Sequence, residues 1–284
     1  MKLPEVVLRE RLRQFLEEDL GWGDVTTHAV LGEEDPEVEA WVEVEEEGIF
    51  AGAVEARTLA EMVGLRVVEL REDGSRVAPG DYVLRMRGRA SAVLMVERVL
   101  LNVIMRMSGI ATLTAAVVDR VREYGCHVAA TRKTPPGFAY FAKRGVEIGG
   151  GDTHRFHLED MVLIKKNHVD LVGSVAEAVK RARRRSSFSK RIEVEVRSLE
   201  EAVAAARAGA DIVMLDNMSP EEVERVITVL KQQGLRERVC IECSGSITLE
   251  NAVAYARAGA DIISLGALTE EAKPLGMRLR VRRI

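Results

Sequence analysis

The sequence predicts an α/β protein in two parts: an N-terminal α+β unit followed by an open or incomplete parallel α/β barrel. Three features carry this expectation. Short alternating stretches cluster between residues 37 and 90, as half-buried strands require. Beyond residue 125, apolar strand-like runs alternate with helical segments rich in small residues, the pattern of a parallel sheet. The run AVAAARAGADI at 202–212 recurs almost unchanged as AVAYARAGADI at 252–262, each copy a helix stopped by glycine and followed by a short strand.

In chain order, residues 1–20 read as a helix ended by Gly21 and Gly23. Strands follow at VEAWVEVEEEGIFAG, LRVVELREDG and DYVLRMRGRA, interrupted by the helix AVEARTLAEMVG. The acidic tract Glu43 to Glu47 is expected on a solvent face. Residues 91–107 form a strongly apolar helix whose charges are Glu97, Arg98 and Arg106. An arginine near the end of so apolar a helix needs a partner, either a carboxylate of its own fold or an anion across an oligomer interface. The second half offers six strands, VAATR, MVLIK, IEVEV, IVMLD, VCIEC and IISLG. That is fewer than the eight of a closed barrel.

Composition excludes several classes. A content of 47% hydrophobic and 30% charged residues over 284 positions is that of a globular protein with a sizeable core. No apolar run approaches the roughly 18 residues of a membrane span, and the charged amphipathic start lacks a signal core, so a cytoplasmic location is expected. A net charge of −4 argues against general nucleic-acid binding, and the basic run Arg181 to Arg185 reads as a solvated helix end. Cys126, Cys240 and Cys243 make no disulfide framework. Cys240 and Cys243 lie three apart in a strand-like run, face opposite sides and are expected to be buried thiols.

The stretch from Thr131 to His168 departs from any core pattern. Arg132, Lys133, His154, Arg155, Lys165, Lys166 and His168 stand beside Pro135-Pro136-Gly137 and Gly149-Gly150-Gly151. Glycine lets backbone approach a ligand and the cations supply charge, which points to a small, multiply anionic substrate. The rule that barrel sites gather at the C-terminal strand ends selects Arg132, Lys133, Lys165, Glu195, Asp216, Ser244, Gly245 and Gly266. Glu193 and Glu195 share a face and need cationic or metal partners if it points inward. Glu195 and Asp216 are candidates to hold Mg²⁺, or to pair with the cations opposite. The turns Ser244-Gly245-Ser246 and Leu265-Gly266-Ala267 offer backbone N–H groups to a phosphate.

TRKT-x-PG, GGGDTHR, LIK-x-NH, EVEV, MLDN, E-x-SG and ISLGALT occur here in the order seen in quinolinate phosphoribosyltransferases. GWGDVTT at 21–27 and the run Arg106 to Thr112 resemble the same family's N-terminal portion, and GGGDTHRF looks most like its archaeal members. The resemblance runs from about residue 18 to 276. It implies an N-terminal α/β sandwich over 1–108, joined by a returning strand at 275–284, and a six- to seven-stranded incomplete barrel over 109–274. It implies a Mg²⁺-dependent transfer from phosphoribosyl pyrophosphate to quinolinate with decarboxylation, giving nicotinate mononucleotide, pyrophosphate and carbon dioxide for NAD biosynthesis. It also implies a homodimer, or a higher oligomer built from it, in which Arg106 completes the partner's site.

By the same resemblance, Arg132, Lys133, His154, Arg155 and Lys165 would surround the substrates' anionic groups. Glu195 and Asp216 would hold the metal-bound pyrophosphate. Ser244, Gly245, Ser246 and Gly266 would receive the 5-phosphate, and Lys133, Lys165, Glu195 and Asp216 would be catalytic. Departures from the family pattern are Lys166 in place of aspartate, Pro135 in place of threonine, and Ala139-Tyr140 where a basic residue is usual. Ser246 replaces a second glycine, and Glu270-Glu271 occupy positions often held by His-Ser. Competing readings are a paralogue with another acceptor and an inactive ligand-binding relative.

Overall fold

The computed structural model describes residues 2–284 and divides into two compact units. The first runs to Ala115 and takes in Pro135–Gly150 and Ala272–Ile284. Its four-stranded antiparallel sheet has the order Met277–Arg283, Glu37–Val44, Tyr82–Arg89, Arg66–Leu70. Along Glu37–Val44 the residues Val38, Ala40, Val42 and Val44 alternate into the core. On the opposite face, Glu39 takes the guanidiniums of Arg87 at 2.9 Å and Arg282 at 2.8 Å from the flanking strands. The helix Glu5–Leu20 buries Leu8, Leu12 and Leu16 at helical spacing.

The helix Ala90–Val121 supplies Val93, Val96, Leu100, Ile104 and Met107 to the same core. It continues as one 32-residue element, so the boundary expected at 108 falls inside it. With the turn after it, this helix is long and apolar enough by composition to cross a membrane, although 56% of its most apolar window is buried within the protein. The expectation that no apolar run approaches the length of a span is corrected here: residues 99–118 carry Arg106 as their one charge.

The segment 135–150, expected inside the barrel, belongs to the first unit. Its helix Ala139–Ile148 brings Gly145 and Gly149 against the long helix, where a Cβ on Gly149 would come within 2.5 Å of the Ala111 carbonyl oxygen. Close helix contact of this kind leaves no periodic signal in a sequence.

The second unit comprises Ala116–Thr134 and Gly151–Glu271. Its six strands lie in the order His127–Ala129, Ile262–Ser264, Cys240–Ser244, Ile212–Asp216, Ile192–Val196, Val162–Ile164, all parallel. The two end strands do not pair with one another among the described residues, so the barrel is open there, as the strand count anticipates. Three covering helices begin with the same device: Ser174, Ser198 and Ser219 accept the N–H of Glu177, Glu201 and Glu222. The near-repeat acquires a physical role as well. Asp211 accepts the backbone N–H of Ile192 at 2.6 Å, and Asp261 accepts that of Ile241 at 2.7 Å. Each repeat thus ties down the start of a neighbouring strand through its aspartate.

Candidate active site

At the carboxyl ends of these strands the second unit opens a cavity of about 630 Å³. Arg132 and Lys133 follow the strand His127–Ala129, and Lys165 follows Val162–Ile164. Glu195 lies within its strand, Asp216 and Ser244 end theirs, and Gly266 lies just past Ile262–Ser264. All of these line the cavity, as do His154, Arg155, Gly245 and Ser246. Lys166, His168 and Glu193 do not line it, and neither does Arg106, which is half-buried on the long helix of the first unit.

The cavity charges are engaged with one another. Lys165 Nζ lies 2.8 Å from Glu195 Oε1. Arg197 donates to Asp216 Oδ2 from two nitrogens, at 2.7 and 2.9 Å. Lys133 Nζ stands 3.5 Å from Glu270 Oε2. Burial first, and then the charge of Arg132, hold the Arg155 guanidinium below its ordinary pKa. Arg132 and Arg155 therefore repel each other, an arrangement that an entering anion relieves.

Glu193 and Glu242 are fully buried. His154 places Nε2 at 3.2 Å from Glu242 and 3.5 Å from Glu193, while its Nδ1 accepts the Arg155 N–H at 2.8 Å. Burial, reinforced by Glu242, pushes the Glu193 carboxyl up to about 8. The potential ligand atoms of these three residues lie within 4.8 Å of one another. A metal-bound imidazole normally donates its second N–H outward, whereas Nδ1 here accepts one. The donor set therefore fits a proton-sharing cluster better than a metal. Glu195 and Asp216 are different: both are carboxylates facing a polar cavity, with side chains 15% and 16% exposed, and oxygen donors suit Mg²⁺.

His154, Asn217 and Ser246 have φ of 51°, 56° and 53°, and they are the non-glycine residues with positive φ among those described. All three line the cavity. Backbone strain of roughly 1–3 kcal/mol per residue is concentrated where a ligand would bind.

Sequence reasoning gave no site role to Asn217 and Glu242 and named Glu270 only as a departure from the family pattern; all three line the cavity. Glu242 was open to detection, because Ser244 lies two residues further along the same strand and shares its face. Asn217 carried a weaker signal, an Asp-Asn pair ending a strand. Glu270 was legible only as a departure from the pattern, since its approach to Lys133 depends on the fold.

Residues 24–108 match the description "Quinolinate phosphoribosyl transferase, N-terminal domain", and residues 110–280 match "Quinolinate phosphoribosyl transferase, C-terminal domain". The chain belongs to the quinolinate phosphoribosyltransferase family. It is 44% identical over 273 residues to a probable nicotinate-nucleotide pyrophosphorylase [carboxylating] of Methanothermobacter thermautotrophicus, covering 95% of this chain and 98% of that one. The similarly described Archaeoglobus fulgidus protein is 45% identical over 262 residues, covering 92% and 98%. The structure of the nicotinate-nucleotide pyrophosphorylase from Francisella tularensis superposes with a TM-score of 0.90 at 35% identity, covering 99% of this chain and 98% of that one.

Against the quinolinate phosphoribosyltransferase pattern, the departures at 166, 246 and 270 now have locations. Lys166 opens the helix Lys166–Val172, is exposed and pairs with Asp170 one turn on, outside the cavity lining. Ser246 requires positive φ, so a side chain sits where glycine would be unstrained. Glu270 brings an acid into the cavity beside Lys133. Lys166→Asp is expected to leave the Michaelis constant for quinolinate within about threefold, because a surface i,i+4 pair is worth only ~0.5 kcal/mol. Steady-state kinetics of that variant checks this, and a larger rise would place the residue in contact with substrate.

Proposed function

We propose that this protein transfers the phosphoribosyl group of phosphoribosyl pyrophosphate to quinolinate and decarboxylates the product, forming nicotinate mononucleotide, pyrophosphate and carbon dioxide for NAD biosynthesis. One observation carries the reading: Arg132, Lys133, Arg155 and Lys165 converge on a cavity that also presents Glu195 and Asp216. Few small molecules call for that many cations beside two carboxylates. A planar dicarboxylate next to a phosphorylated sugar does.

Arg132 and Arg155 bind the two quinolinate carboxylates, for which the guanidinium fork is suited, and Lys165 adds a compact charge. His154 stands beside them with Nδ1 accepting the Arg155 N–H and Nε2 facing the buried acids, so it contributes shape and holds the backbone of Arg155 in place. Ser244, Gly245, Ser246 and Gly266 receive the 5-phosphate. As the bond from the ribose C1 to pyrophosphate breaks, its electrons leave with pyrophosphate, and Lys133 stabilises that charge. Glu195 stabilises the positive charge left on the sugar while the pyridine nitrogen forms its bond to C1. The pyridinium then accepts the electrons released when the 2-carboxylate departs, and a proton replaces it. Glu195 and Asp216 would hold Mg²⁺, which when bound neutralises pyrophosphate charge. Nothing in this scheme needs a covalent nucleophile, because quinolinate has no ketone or aldehyde for a lysine to condense with.

Incubation with quinolinate, phosphoribosyl pyrophosphate and Mg²⁺ tests the reading. Carbon dioxide and nicotinate mononucleotide should appear in equal amounts. Binding of quinolinate without pyrophosphate release would favour an inactive relative.

We further assign a cytoplasmic homodimer in which Arg106 reaches the partner's cavity, which accounts for a half-buried arginine outside the lining of its own. Arg106→Ala should lower kcat/KM roughly 10- to 100-fold, the worth of one charge-assisted hydrogen bond. Mixing Arg106→Ala protomers with Lys165→Ala protomers should restore activity, since some hybrid dimers then hold one intact site. Failure to complement would reject the shared site.

A further inference from the structure

We propose that Asn217 is a positioning residue that couples the two ends of the sugar-phosphate site, fixing the Asp216 carboxylate and the Ser244–Ser246 turn with one amide. The inference rests on the reading of the cavity given above and assigns a role that the motif comparison leaves open.

Asn217 directly follows the strand Ile212–Asp216 and adopts left-handed backbone geometry, with φ of 56°. Its own N–H donates to the Ser244 carbonyl oxygen at 2.8 Å, which aims the side chain toward the next strand's turn. There the amide Nδ2 donates to Asp216 Oδ1 at 2.8 Å, and Oδ1 accepts the Ser246 hydroxyl at 3.4 Å. The amide also lies against the Gly245 backbone: a Cβ built on Gly245 would stand 2.4–2.6 Å from Asn217 Oδ1, Cγ and Nδ2. Gly245 is therefore required by the asparagine as well as by its own φ of 93°.

Asp216 is consequently held on both oxygens, Oδ1 by Asn217 and Oδ2 by Arg197. Arg197 has a long side chain that is 54% exposed, whereas Asn217 adjoins Asp216 in the chain, so the amide is the more closely tethered of the two contacts that orient this carboxylate. Asn217 thereby sets the distance between the carboxylate that faces the pyrophosphate end and the turn that faces the 5-phosphate.

A purely conformational role makes the opposite prediction. At positive φ, glycine is the unstrained residue, so a simple turn-former would tolerate Asn217→Gly without functional loss. That variant removes the amide's hydrogen bonds and its packing against Gly245 while leaving the backbone conformation unstrained. Asn217→Asp keeps the shape, replaces the Nδ2 donor by an acceptor and sets two carboxylates side by side.

The experiment compares wild type, Asn217→Gly and Asn217→Asp. Both variants should raise the Michaelis constant for phosphoribosyl pyrophosphate by about tenfold or more, the loss expected for a charge-assisted hydrogen bond, while that for quinolinate changes less than about threefold. Calorimetric binding of ribose 5-phosphate without metal should weaken in parallel, and thermal midpoints should stay close to wild type. An unchanged constant for phosphoribosyl pyrophosphate in Asn217→Gly, or equal rises for both substrates, would overturn the inference. Absence of turnover in the wild type would instead count against the proposed reaction itself.

Discussion

If Glu195 and Asp216 hold Mg²⁺ as proposed, replacing both by alanine should remove the response of the rate to Mg²⁺ and nearly all activity, a loss of roughly 10³-fold or more, since metal-assisted charge stabilisation supplies several kcal/mol. The geometry makes this variant a clean test. Glu195 is paired with Lys165, whose side chain is 52% exposed, and Asp216 with the similarly exposed Arg197. Cations left behind by the substitution can therefore take up water, so the fold should survive with little loss of stability. Glu193 is not interchangeable with Glu195 although it shares its face. It is fully buried against Glu242 and His154, and its alanine variant would confound binding with an altered interior. The measurement is a Mg²⁺ titration of the rate, accompanied by calorimetric titration of phosphoribosyl pyrophosphate with and without the metal. A double variant whose residual rate still rises with Mg²⁺ along the wild-type curve would remove both carboxylates from their assigned role.

How much of this site could be read before folding depends on which signal each residue carried. Arg132, Lys165, Glu195 and Asp216 were legible because a parallel barrel exposes the carboxyl ends of its strands, and short apolar runs mark those ends. Asn217 and Glu270 meet partners remote in sequence, Ser246 for one and Lys133 for the other. Side-chain pairing across a fold has no period along the chain. For the same reason the ion pairs made by the cavity carboxylates, Lys165 with Glu195 and Arg197 with Asp216, could be anticipated but not assigned. The architecture was clearer: the barrel strands appeared where apolar runs alternate with helices. The placement of 135–150 escaped because it is decided by glycines meeting a helix backbone. The two tools that read a sequence, periodicity and turn chemistry, are both local.

The largest structural effect is expected from one such glycine. Gly109 lies on the long helix, and a Cβ added there would stand 1.8 Å from the Lys273 carbonyl oxygen, 2.8 Å from its carbonyl carbon and 3.1 Å from Pro274 Cα. These are backbone atoms, and the Leu275 N–H bonded to the Met105 carbonyl oxygen at 2.9 Å holds them in place. They lead directly into Met277–Arg283, which pairs with Glu37–Val44 over its whole length. Relief of the clash would lift that strand from the sheet. Its neighbours on the helix anchor a second segment: Ser108 accepts the Ala51 N–H at 3.0 Å and Thr112 accepts that of Ile49 at 2.9 Å. The run Arg106 to Thr112 is thus a packing device around a charged residue. Gly109→Ala should destabilise by about 3–5 kcal/mol, above the usual cost of overpacking because the obstacle is backbone. At roughly 2–4 °C per kcal/mol for a chain of this size, the thermal midpoint should fall by about 10 °C. Ser108→Ala provides the scale, since it leaves a buried N–H without a partner at a cost of about 1–3 kcal/mol. If Gly109→Ala melts no lower than Ser108→Ala, the crossing of 273–275 over the helix is looser than its interatomic distances require.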